Sequence, residues 1–236
     1  TIFFLVLLIT SGNAAEPQRP DINHVFDFEK EAKINEVIGL TAKEAFERLK
    51  GMDFVTDEDL LHKAIFKTFE HKKSEGIAFA LSYLKLPVME IKDGKLVDRT
   101  ADFYVAKKIL EVFPDQSVDK LLKLYKKGDA VAKGNIIRAS GKIAGGKRIR
   151  NLLINALDDK TFCEEENPEV QGERLRICDI AYNQLILRYN IENVLRTIGN
   201  VYTIEVRDYH INILKEKLKN FCLLYTSPSP RDRQKS

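Results

Sequence analysis

Residues 139–150 read ASGKIAGGKRIR, and Gly141, Gly146 and Lys147 stand there at the spacing of a phosphate-binding loop. Such a loop follows a β-strand and runs from its Lys into a Ser or Thr, whose hydroxyl holds Mg²⁺. Here a helical stripe (Ala132, Ile136, Ala139, Ile143) precedes the glycines, and Arg148 occupies the hydroxyl position. The stretch therefore reads as a turn between two helices, with Gly145–Gly146 as the glycine stop of the first. No nucleotide cofactor is expected.

Other catalytic chemistry finds little material. His24, His62, His71 and His210 are scattered, and none falls in a HExxH pattern. Six acids crowd residues 158–169 (Asp158, Asp159, Glu164, Glu165, Glu166, Glu169) without the alternating oxygen ligands and internal Gly of a calcium loop. Cys163 and Cys178 are fifteen residues apart. They allow a disulfide in an oxidising compartment or two buried free thiols, and without a convergent His cluster they make a poor metal site. No catalytic residue, cofactor or metal is expected.

Two polar clusters interrupt apolar helices: Asn135 with Arg138 three residues on, and Asp179 with Asn183 four residues on. Two readings stay open. They face a shared binding surface, with Lys142 beside them, or they form an internal ladder that stitches neighbouring turns together. From Asp119 to Arg150 the chain carries ten Lys or Arg against Asp119 and Asp129. That face suits an anionic partner, a bound cation or a second copy, or is simply a solvated helix surface.

The elements that must position these residues are mostly helical. Thr41 and Glu44 form a capping box opening a helix that Gly51 closes. Leu61, Ala64, Ile65, Thr68 and Phe69 make the next stripe, and Ile77, Leu81 and Leu84 continue it to Pro87. Asp93-Gly94 between short apolar stretches predicts a small β-hairpin near residues 88–97. Helices resume with Ala106, Ile109, Leu110 and Phe113, then Val118, Leu121, Leu122 and Tyr125. The final segment, 205–221, reads as a closing helix with Asp208 as its N-cap.

From residue 117 short and long helices alternate. Leu121-Leu122 maps onto Leu152-Leu153 at an offset of 31, and ASGKI maps onto AYNQL at 42, with an insertion of eleven between Asp158 and Gly172. Paired helices at such a period are the mark of an α-solenoid. Residues 117–190 resemble HEAT repeats of the secreted bacterial type. Ala139-Ser140-Gly141-Lys142-Ile143 stands where that family has Ala-Leu-Gly-x-Ile, with Ser for Leu; Leu175-Arg176 and Ala181 match its Val-Arg and central small position. The resemblance implies an all-α, HEAT-like solenoid with one small hairpin. It also implies second helices lining a concave surface, where Asn135, Arg138, Asp179 and Asn183 would sit.

The 236 residues are 44% hydrophobic and 31% charged, enough for a real core, and a net charge of +3 is too small to imply a nucleic-acid protein. The start, TIFFLVLLITSGNAAEPQRP, reads as the apolar and cleavage regions of an export signal whose charged start is cut off, too short to span a membrane. The segment 222–236, CLLYTSPSPRDRQKS, resembles a translated sequencing-adapter tail; without it the net charge falls to +1. The expected organisation is a signal (1–15), a Pro-flanked extension (16–39), a helical region with the hairpin (40–116), a HEAT-like region (117–221) and a non-native tail (222–236). The expected task is non-catalytic protein binding in the periplasm or outside the cell, with no nucleic acid and no membrane span after cleavage. Two alternatives remain: an enzyme or accessory subunit with Asp179 and His210 in a cleft, and attachment to anionic envelope surfaces through residues 120–150.

Overall fold

The computed structural model describes residues 37–51, 58–164, 174–192 and 194–226, together with 32, 34 and 35. The expected export signal, the expected extension as far as residue 31, Glu165, Glu166 and Glu169, and the segment from 227 lie outside the described residues. Among those described, the chain is mainly helical with a small two-stranded antiparallel hairpin. The elements are α1 (Ala42–Gly51), α2 (Glu58–Phe69), α3 (Lys73–Tyr83), β1 (Met89–Lys92), β2 (Lys95–Asp98), α4 (Thr100–Val112), α5 (Pro114–Lys127), α6 (Ala130–Ser140), α7 (Gly146–Ala156), α8 (Ile177–Tyr189) and α9 (Ile204–Thr226).

Local chemistry explains most boundaries. The Thr41 amide donates to Glu44 Oε2 (2.9 Å) and the Glu44 amide to Thr41 Oγ1 (3.3 Å), which is the reciprocal capping box. Pro114 opens α5, where its missing N–H costs nothing. Asp129 caps α6 by accepting from the Ala132 amide at 2.8 Å. Asp93 and Gly94 both take positive φ (51° and 72°), so the hairpin turns in two residues and pairs Met89 with Asp98 and Ile91 with Leu96.

Three expectations need correction. First, α6 stops at Ser140 instead of running on to Gly145. The Ser140 hydroxyl bonds back to Ile136 O (2.7 Å), and Arg188 from α8 donates to the carbonyls of Gly141 and Ile143 (both 3.0 Å). The helix end is thus satisfied from outside itself. Second, the left-handed glycine is Gly146, which opens α7 at φ 51°, whereas Gly141 at the end of α6 is right-handed. A Cβ at Gly141 would lie 1.8 Å from Gln184 Oε1 of α8, the far end of a flexible side chain that would have to turn aside. Third, α9 starts at Ile204, so Asp208 sits in its second turn and is not its N-cap.

The predicted stripes point inward. Leu61, Ala64, Ile65 and Phe69 are fully buried on α2, and so are Ile136, Ala139, Leu153 and Leu185 further on. One continuous apolar cluster runs from Ile34 to Leu218. Helices pack on their sequence neighbours and in several cases on the helix after next (α1 on α3, α3 on α5, α5 on α7, α2 on α4, α6 on α8), and α1 also packs on α4.

Candidate functional site

The polar residues singled out in α6 and those in α8 each bond to other parts of the fold, and within α6 Asn135 and Arg138 also meet each other. Asn135 is 1% exposed, and its Nδ2 donates to Leu86 O (2.8 Å) and Leu84 O (3.3 Å), the carbonyls that end α3. Its Oδ1 accepts from Arg138 Nη1 at 3.2 Å, and Arg138 in turn pairs with Glu164. Asn183 makes a two-way clasp with the segment after α8: Nδ2 to Ile198 O and the Ile198 amide to Oδ1, both 2.7 Å. Lys142 is exposed in the turn after α6.

Asp179 is the centre of a buried ionic network. It is fully buried and accepts from the Arg176 amide (2.9 Å), Arg176 Nη2 (2.9 Å) and Arg207 Nη1 (2.6 Å). Arg207, also fully buried, donates from Nε to Tyr202 O and from Nη1 to Arg174 O, each at 3.0 Å. Arg176 reaches on to Asp208 (2.8 Å), which Lys160 completes at 2.7 Å. Burial works against a charged Arg176, yet hydrogen bonds to Asp179 and Asp208 hold its guanidinium above the usual range. For Asp208 burial likewise opposes ionisation, and Lys160 and Arg176 outweigh it, so its carboxyl stays below the ordinary carboxylate range. This network locks the start of α9 onto the start of α8 across 28 residues of chain.

Cys163 and Cys178 are free, buried thiols and not a disulfide. The Cys163 thiol lies 3.5 Å from Leu175 O, and the Cys178 thiol 3.8 Å from Asp179 Oδ1. Burial pushes both up to about 12, which leaves them protonated and poor nucleophiles. Around them the chain ties itself together: Cys163 N donates to Leu175 O (3.1 Å), Ile177 N to Thr161 O (3.0 Å) and Cys178 N to Asp159 O (2.9 Å).

A second polar node lies between α2 and α4. Lys108 Nζ, with its side chain 1% exposed, donates to Glu111 Oε2 at 2.8 Å, and His62 Nε2 stands 3.7 Å from the same oxygen. Among the described residues, no group of three or more His, Cys, Asp or Glu is placed to hold a metal ion.

The basic run is spread over a surface. Lys120, Lys123, Lys126 and Lys127 of α5, Lys142, and Lys147 and Arg148 of α7 are all exposed, with Arg148 paired to Asp119. Lys133 instead lies over the Tyr125 ring at 5.8 Å. No described helix is long and apolar enough to cross a membrane.

Reading the chain alone missed Arg188 and Arg207. The clue was present in both: a charged residue at an otherwise apolar helical position, in LILRY and in EVRDY. Comparison with known proteins adds no relative to this description, since no family model, curated protein or solved structure matches the chain.

Proposed function

We propose that the chain is a non-catalytic, HEAT-like helical scaffold, exported into the bacterial envelope, that docks a protein partner on its helical surface. The observation that carries this reading is the order of neighbours. Odd-numbered helices from α1 to α7 pack in succession, with α2 on α4 and α6 on α8 beside them and α1 also on α4, an order similar to the stacked layers of a repeat array. The sequence offset between the α5–α6 and α7–α8 pairs supports the same arrangement. The chemistry of the polar residues supports the same reading: Asp179, Arg176 and Arg207 bond to one another, to Asp208 and to backbone, and the two thiols are held protonated.

Two measurements test it. Small-angle scattering of the full chain should give a radius of gyration clearly above the roughly 18 Å of a compact domain of this length. Cross-linking in envelope extract should recover a protein partner; recovery of none, with turnover of a small molecule, would favour the enzyme reading.

A further inference from the structure

We draw no further inference here: the strongest candidate, the exposed aliphatic face of the β1–β2 hairpin formed by Met89, Ile91 and Leu96, is an unpartnered apolar face, and nothing in the structure shows what covers it.

Discussion

The helices before α5 and those after it are held together by different means. Around α1 and α3 the contacts are aromatic: Phe46 stacks on Tyr83 at 4.6 Å and meets Phe79 edge-on at 4.9 Å. The ions buried there include the local pair Lys108–Glu111, three residues apart on one helix. Beyond α5, the long-range ties are charges and amides: Asp179 to Arg207, Asn183 to Ile198, and Arg188 to the end of α6. Apolar packing tolerates small slips, because dispersion has no preferred direction. A buried carboxylate between two guanidiniums allows one register. The first region leans more on area, with the Lys50–Asp102 pair (2.7 Å) tying α1 to α4, and the second more on geometry.

Removing Asp179 breaks that contrast most severely. Asp179→Ala takes the carboxylate from buried Arg207 and leaves Arg176 with Asp208 as its paired carboxylate, and urea unfolding should show a loss of about 3–5 kcal/mol. Asp179→Leu combined with Arg207→Met should recover most of it; if the pair is as unstable as the single variant, the charges matter for more than their mutual neutralisation. Phe46→Ala comes next, at about 3 kcal/mol. Hydrogen exchange should show that loss in α1 and α3 while α8 and α9 keep their protection. Asn135→Ala sits on the seam between the regions and should cost about 2 kcal/mol, since Leu84 and Leu86 lose their donor. The salt bridge between Arg148 and Asp119 is exposed at both ends. Arg148→Ala should therefore change stability by less than about 0.5 kcal/mol.

Acid separates the regions in another way. Asp208 has a carboxyl held below its usual range by Lys160 and Arg176 against the effect of burial, so its contribution is present above the unfolded-state value and is lost as pH falls through the folded one. Exchange measured on the acid side of about pH 4 should expose the start of α9 before it exposes α3. The reverse order would argue against the ionic network as the fastening of α9.

Local features were readable in the chain because their causes are local. The Thr41–Glu44 box, the Asp93-Gly94 turn and the stripe from Leu61 to Phe69 depend on partners within a few residues. Asn135, Asp179 and Asn183 were visible as anomalies, but neither of the two uses open to them was decided by spacing. Their partners Leu86, Arg207 and Ile198 lie 49, 28 and 15 residues away. Asp208 was misplaced for the same reason: read as a cap from its neighbours, it answers to Lys160 and Arg176.

The backbone bonds joining 159–163 to 175–178 act as a sutured neck. Because the suture itself aligns α7 with α8, the number of residues strung beyond it sets neither the spacing nor the tilt of those helices. Loop closure grows only logarithmically with length, so a peptide tag spliced there should cost well under about 1 kcal/mol per doubling.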